Sequence, residues 1–146
     1  MKKHKLLLLP IILTFIVTAS AIYLTPLKNI AIIEPTVKDI APKEFYDKYI
    51  QNKEKYIFID VRPTSAYGKL HAEGSINIQL HELYNERKNL PKHGKEIVLI
   101  CSGGLASGVA YSYLQHYGFF NIVRIGGGIE NWQLNNLPVV SQLKIN

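Results

Sequence analysis

The one cysteine of the chain, Cys101, has a residue type and a setting that suit chemistry. It follows residues 97–100, four apolar residues of which three are β-branched, and this pattern predicts a buried strand. Small residues come next, and helical spacing then extends over residues 109–117 and ends at Gly118. Loop N–H groups and a helix N-terminus both favour an anion at this place. We therefore predict that Cys101 is a nucleophilic thiolate rather than a buried structural thiol.

Length, charge and cysteine content narrow the function. The chain has 146 residues, enough for one domain with a core, and a formal net charge of +6. Lys2, Lys3 and Lys5 supply half of that charge, and the remainder forms no basic block, so nucleic-acid binding is not expected. A single cysteine excludes an internal disulfide, and the five histidines show no metal-ligand spacing. No metal or other cofactor is expected.

Residues 1–25 have the pattern of a targeting segment. The basic start precedes residues 6–24, which carry no charge and are mainly apolar. This pattern is typical of a secretory signal peptide or of an uncleaved transmembrane anchor. Because positive charge stays inside, both alternatives predict an extracytoplasmic protein, periplasmic in a bacterium, either soluble after cleavage or attached to the membrane. Residues 26–35 are then predicted to be a linker, and residues 36–141 the folded domain.

Candidate strands and helical segments alternate through this folded part. The strands are predicted at residues 36–40, 56–59, 76–78, 97–100 and 121–125, with helical segments over residues 42–50, 65–70, 81–90, 109–117 and 129–134. The alternation predicts an α/β domain with a mainly parallel sheet and helices on both faces. Ligands bind such sheets at the carboxyl ends of the strands. Cys101, the pair Asp60 and Arg62, and the glycine turn at residues 126–128 are expected to meet there.

Four segments between about residues 36 and 140 carry recognisable motifs. They are a strand-end Asp-x-Arg with a following aromatic residue, a His segment that ends in Gly-x-x-Asn, the cysteine loop, and a closing Gly-Gly, Trp and Pro signature. The residues concerned are Asp60, Arg62 and Tyr67; His71 with residues 74–77; residues 101–107; and Gly127, Gly128, Trp132 and residues 137–139. In their order and spacing these segments resemble the rhodanese family of sulfurtransferases, with residues 101–107 in the place of the active-site loop.

The resemblance implies a parallel sheet flanked by helices and a two-step sulfur transfer. Cys101 would attack the outer sulfur of a donor, a small sulfur-containing anion such as thiosulfate, to give a persulfide and sulfite. Cyanide or a thiol would then accept the sulfur. Loop N–H groups would hold the negative charge on the sulfur. The substrate-binding residues implied are Arg62, Ser102, Gly103, Gly104, Leu105, Ala106 and Ser107.

The loop departs from the family pattern at Ala106, where many members carry arginine. An anionic donor would then depend on backbone dipoles and on a nearby cation such as Arg62 or Lys69. A phosphatase or arsenate reductase is disfavoured, because those enzymes need an arginine at the end of the cysteine loop. A non-catalytic module that carries sulfur or binds a protein partner stays open as the alternative function.

The other polar residues of these motifs have structural interpretations. Asp60 and Arg62 are predicted to form an ion pair or a cap at the strand end. His71 is predicted to be hydrogen bonded in the structure, since a thiolate needs no general base. Trp132 is predicted to belong to the core.

Overall fold

The computed structural model describes residues 10, 12–18, 20 and 37–141. The described residues divide into two units, one within Met1–Thr36 and one within Val37–Asn146. In the first unit, residues 10, 12–18 and 20 are helical and exposed. No helix among the described residues has the length and apolar character needed to cross a membrane. Most of the predicted targeting segment, and the linker at residues 26–35, lie outside the described residues.

The second unit alternates strands and helices along the chain. Its elements are β1 (Asp39–Ile40), α1 (Pro42–Gln51), β2 (Tyr56–Asp60), α2 (Thr64–Lys69), β3 (His71–Ala72), β4 (Ile76–Asn77), α3 (Leu83–Glu86), β5 (Glu96–Ile100), α4 (Leu105–His116), β6 (Ile122–Ile125), α5 (Gly128–Leu134) and β7 (Val139–Val140). Short 3-10 turns lie at Lys53–Lys55 and Arg87–Asn89.

Five of the strands form one parallel sheet in the order β1-β6-β5-β2-β4. The central strand β5 is buried from Ile97 to Ile100, as its continuous apolar sequence predicts for a strand covered on both faces. Because all five strands are parallel, their carboxyl ends lie at one edge of the sheet. The predicted parallel α/β sheet is confirmed.

Helices cover both faces of this sheet, because the central strand β5 presents apolar side chains to both. Its side chains alternate, so that Leu99 packs in one cluster with Leu114 of α4, while Val98 and Ile100 pack in the other with Trp132 of α5. Trp132 is fully buried, and its Nε1 donates a hydrogen bond of 2.9 Å to the Pro138 carbonyl. Trp132 therefore belongs to the core, as predicted.

Helix α4 begins at Leu105, four residues before the predicted start at residue 109. Gly104 precedes it with a φ of 115°, a backbone conformation that favours glycine and lets the loop turn directly into the helix. Gly108 lies inside the helix rather than in the loop. An isolated glycine costs a helix only about 1 kcal/mol relative to alanine, so the helix continues through it.

A second small sheet was not predicted from the sequence. Strands β3 and β7 pair antiparallel, with His71 opposite Val140 and Ala72 opposite Val139. The β-branched pair at residues 139–140 was the available signal. The predicted first strand is also shorter than expected, because of residues 37–40 only Asp39 and Ile40 pair with β6.

Candidate active site

Cys101 lies directly after β5, at the carboxyl edge of the sheet, and its residue is only 1% exposed. Its Sγ accepts a hydrogen bond of 3.1 Å from the Gly104 N–H. The Ser107 hydroxyl lies 3.3 Å from the same sulfur. The loop therefore places two polar hydrogen-bonding groups on Sγ, one from the backbone and one from a side chain.

The glycine turn after β6 holds this loop from the side. The N–H of Ile129 donates to the Cys101 carbonyl at 2.8 Å, and that of Glu130 donates to the Ser102 carbonyl at 3.2 Å. A Cβ at Gly128 would lie 2.3 Å from both carbonyl oxygens, which no side chain can tolerate. The predicted meeting of this turn with Cys101 is confirmed, and its contacts there are made by the backbone.

Asp60 and Arg62 form the predicted ion pair at the end of β2. Arg62 Nη2 lies 2.6 Å from Asp60 Oδ2, and Arg62 Nε donates to both carboxylate oxygens at 3.0 Å. Nη2 also donates to the Leu70 carbonyl at 2.7 Å. The Asp60 side chain is fully buried, and that of Arg62 is 9% exposed. The charge of Arg62 is therefore balanced within the protein.

His71 lies on β3, beside α2, and is nearly buried. Its Nδ1 is 2.9 Å from the Tyr67 carbonyl, and its ring stacks on the Tyr67 ring with centroids 3.8 Å apart. These contacts fit the structural role that the sequence predicts for it.

A cavity of about 510 Å³ opens next to the loop. It lies between the end of β2, the segment before α3 and the loop, and its lining residues are Val61, Arg62, Pro63, Gln79, Leu80, His81, Cys101, Ser102, Gly103, Leu105 and Ala106. Of these described residues only Arg62 carries a permanent charge. The exposed Lys69, expected as a possible cation, is in the last turn of α2 and does not line the cavity.

The predicted substrate-binding residues thus divide into two groups. Ser102, Gly103, Leu105 and Ala106 line the cavity together with Arg62. Gly104 and Ser107 instead contact the cysteine sulfur and do not line the cavity.

A family model, the rhodanese-like domain, matches residues 41–135, which is well over half of the chain. The chain belongs to the rhodanese family. It is 31% identical over 100 residues to the adenylyltransferase and sulfurtransferase UBA4 of Candida albicans, and this match covers 64% of the chain and 23% of that protein. It is 26% identical over 101 residues to the thiosulfate sulfurtransferase GlpE of Actinobacillus succinogenes, covering 69% of the chain and 88% of that protein.

A solved structure supports the same assignment. The rhodanese-related protein of Thermoplasma volcanium superposes with a TM-score of 0.61 at 32% identity, covering 70% of this chain and 97% of that one. The chain spans less than a quarter of UBA4, so the activity of that larger protein as a whole does not transfer to it. Sulfur transfer is indicated for this rhodanese domain at the level of its family.

The rhodanese domain contains a cation near the loop that sequence reasoning missed. Arg124 of β6 donates from Nη1 to the Gly104 carbonyl at 2.9 Å. Its Nε and Nη2 donate to the two carboxylate oxygens of Asp39, both at 2.7 Å. The hydrogen bonds to Asp39 raise the pKa of Arg124 above its usual value, burial opposes this, and attraction to Asp39 and Cys101 adds to it.

The sequence alone does not indicate that Asp39 and Arg124 form a pair, because the strand order must be known first. Asp39 and Arg124 are 85 residues apart, yet they are opposite each other in the register of β1 and β6. The expected cations were Arg62, which lines the cavity, and Lys69, which does not. The cation that contacts the loop backbone is instead Arg124.

Proposed function

We propose that this rhodanese domain transfers sulfane sulfur through a persulfide on Cys101. The thiolate attacks the outer sulfur of a donor such as thiosulfate, the S–S bond breaks, and sulfite leaves with the bonding electron pair. In the second step a thiol attacks the outer sulfur of the persulfide, which leaves a thiolate on Cys101 and the sulfur on the acceptor. Cyanide would take it in the same way, as thiocyanate.

The observation that supports this proposal most directly is the position of the Cys101 sulfur. Cys101 borders the cavity, while the Gly104 N–H and the Ser107 hydroxyl approach its sulfur from within the loop. Donors fixed in place before the reaction stabilise charge that develops on sulfur, as an oxyanion hole does on oxygen. The attacked sulfur would reach Sγ through the cavity.

We propose further that the preferred acceptor is an uncharged thiol with an apolar body. The cavity is larger than thiosulfate needs, and its wall is formed mainly by Val61, Pro63, Leu80, Leu105 and Ala106. The one permanent cation in the wall, Arg62, is already paired with Asp60. The Glu130 carboxylate lies beside the loop, 3.6 Å from where a Gly103 Cβ would stand. The site therefore offers little attraction for a dianion.

Intact mass after incubation with a sulfur donor tests the central proposal. Native protein should gain the mass of one sulfur on Cys101 and then form thiocyanate with cyanide. Cys101→Ser should keep the fold, since the two residues are close in size, and should show neither reaction. Native protein alkylated on its only thiol is the matched control and should also fail to load.

The outcomes separate the two candidate functions. Loading and turnover that persist in Cys101→Ser would refute the proposal. Native protein that loads sulfur but passes it to neither cyanide nor thiols would support the sulfur-carrier alternative. Native protein that alkylates freely but never loads would support a protein-interaction module.

A competition among acceptors tests the thiol class. Persulfide-loaded protein is mixed with 1-butanethiol, with 3-mercaptopropionate, or with 2-mercaptoethanol, and unloading is followed by mass. The uncharged apolar thiol should unload the protein fastest at equal thiolate concentration. An equal or higher rate with 3-mercaptopropionate would contradict the proposed preference.

We also propose an extracytoplasmic location, which rests on the sequence alone. Lys2, Lys3 and Lys5 precede the uncharged run over residues 6–24, as in signal peptides and membrane anchors. In a bacterial host, a reporter active only outside the cytoplasm and fused after Asn146 should give signal. Reporter activity confined to the cytoplasm would contradict the proposal, and release by carbonate would favour the cleaved form over the anchored one.

A further inference from the structure

Arg124 contacts the active-site loop from the side away from the cavity. It does not line the cavity next to Cys101, but lines a separate groove along α4 with Gly108 and Val109. Its fork on Asp39 fixes the guanidinium in one plane, and the remaining nitrogen, Nη1, reaches the Gly104 carbonyl at 2.9 Å. A cation is therefore held directly against the backbone of the loop, at the residue whose N–H contacts the cysteine sulfur.

Gly108 makes room for this contact. A Cβ at that position would lie 2.9 Å from Arg124 Nη1, closer than real Cβ contacts allow. The neighbour that would have to move is the end of a flexible side chain rather than backbone. A methyl group at residue 108 would therefore push Nη1 away from the loop and leave the helix intact.

The Gly104 carbonyl receives more donors than it needs. The Gly108 N–H donates to it at 3.0 Å, Arg124 Nη1 at 2.9 Å and the Ser107 hydroxyl at 3.1 Å. A carbonyl oxygen has two lone pairs, so the first two donors already satisfy it. The Ser107 hydroxyl has a single hydrogen and lies between this carbonyl and the Cys101 sulfur, which is 3.3 Å away.

Whether the Ser107 hydroxyl hydrogen is needed at the sulfur depends on the protonation state of Cys101. A protonated Cys101 can donate its own hydrogen to the Ser107 oxygen, and Ser107 can then donate to Gly104. A thiolate has no hydrogen and only accepts, so it gains if Ser107 turns towards it. When Ser107 turns away, the Gly108 N–H fills one lone pair of the Gly104 carbonyl, and the second stays filled only because Arg124 Nη1 donates to it.

We propose that Arg124 is a positioning residue for Cys101. By holding the Gly104 carbonyl it keeps the Gly104 N–H on the sulfur and releases the Ser107 hydroxyl to donate to the thiolate or persulfide. Asp39 orients the Arg124 guanidinium, and Gly108, which has no side chain, leaves room for Nη1 to reach the Gly104 carbonyl. This inference rests on the proposed sulfur transfer. It gives the loop a cation against its backbone, although residues 101–107 carry no charged side chain of their own.

The test removes the contact in two independent ways. Arg124→Gln deletes the cation, whereas Gly108→Ala keeps the cation and blocks its approach. Each variant should alkylate Cys101 with iodoacetamide, and load sulfur at saturating donor, about tenfold more slowly, the size expected for loss of one hydrogen bond to a charged group. The donor concentration that gives half the maximal loading rate should change by less than about twofold, since Arg124 does not line the cavity.

The double variant Arg124→Gln with Gly108→Ala shows whether both act through one contact. It should be no slower than Arg124→Gln alone, because the methyl group then has no guanidinium to displace. Arg87→Gln is the matched control: the Arg87 guanidinium lies over the rings of Tyr84 and Tyr117 and does not line the cavity, so its loss should leave both rates unchanged. Thermal unfolding of each variant confirms that the fold is kept.

Two results would overturn the inference. One is a folded Arg124→Gln or Gly108→Ala protein whose alkylation rate equals that of the native protein. The other is a Gly108→Ala effect as large in the Arg124→Gln background as in the native one. The alkylation rate needs no sulfur donor, so these results are separate from a failure of the proposed transferase activity, which would appear as native protein that never loads sulfur.

Discussion

Two aspartate–arginine pairs flank the active-site loop, and they differ in burial and in construction. Asp60 and Arg62 are two residues apart at the end of one strand, with side chains 0% and 9% exposed. Asp39 and Arg124 come from two strands and are 45% and 20% exposed. In each pair the arginine also donates to a backbone carbonyl, that of Leu70 or that of Gly104. The buried pair fixes the cavity wall, and the half-exposed pair contacts the loop itself.

Because the two pairs differ in burial, we expect one to affect mainly the stability of the fold and the other mainly the reactivity of Cys101. A buried carboxylate that loses its partner is left uncompensated, whereas a half-exposed one is hydrated again by water. The first pair should therefore matter mostly for the fold. The second should matter mostly for the orientation of the Gly104 N–H and the Ser107 hydroxyl at the sulfur.

The largest effect is expected from Arg62→Ala. This substitution leaves the fully buried Asp60 carboxylate without its cation, which should lower the free energy of unfolding by about 3–5 kcal/mol. Urea unfolding followed by circular dichroism measures the loss. The double variant Asp60→Asn with Arg62→Met is the control and should recover much of the stability, because it leaves no unpaired charge. A loss below about 1 kcal/mol in Arg62→Ala would show that water reaches Asp60.

A smaller effect, on binding rather than folding, is expected from Ala106→Arg. The new guanidinium stands at the cavity side of the loop, where the described lining offers only the paired Arg62. A partly desolvated ion contact of about 1–2 kcal/mol should lower the half-saturating thiosulfate concentration roughly tenfold. Ala106→Leu is the uncharged control and should give no such gain. An unchanged thiosulfate dependence in a folded Ala106→Arg protein would mean that the loop backbone already supplies this attraction.

The smallest effect on stability is expected from Asp39→Asn. The pair with Arg124 is partly exposed, so its loss should lower the free energy of unfolding by no more than about 1 kcal/mol. The alkylation rate of Cys101 should nevertheless fall, though by less than in Arg124→Gln, since Arg124 keeps its charge but loses its fixed plane. Breaking the exposed pair of Lys43 and Asp47 with Lys43→Gln is the matched control. Equal alkylation in native protein and Asp39→Asn would show that the fork on Asp39 does not orient Arg124.

The sequence predicted one of these pairs and missed the other for a physical reason. Asp60 and Arg62 are neighbours after an apolar strand, so local spacing alone indicates the ion pair. Asp39 and Arg124 meet only because β1 pairs with β6, and local patterns carry no information on strand order. Arg124 is also the one polar residue of a short apolar strand. From the sequence alone, such a residue is as compatible with a side chain in solvent as with one that contacts the loop.

The same distinction applies to the fold. The parallel sheet, the helices on both faces and the position of Cys101 follow from local alternation, and all are confirmed. The sequence predicts the start of α4 too late, because the small residues that precede Val109 have the composition of a turn. Glycine stands at residue 108 because a Cβ there would lie 2.9 Å from Arg124 Nη1. The pairing of β3 with β7 joins segments about 70 residues apart, which no local pattern indicates.

The two backbone hydrogen bonds from the start of α5 to the loop have a consequence for amide exchange with solvent. Ile129 N–H is bonded to the Cys101 carbonyl and Glu130 N–H to the Ser102 carbonyl, while Trp132, less than one turn further along the same helix, is fully buried. The cysteine loop cannot open without releasing these amides, and they cannot be released without disturbing the layer that contains Trp132. Deuterium should therefore enter at Ile129 only in the opening events that expose that layer, so the loop shares the cooperative unit of the core instead of fluctuating as an independent surface loop.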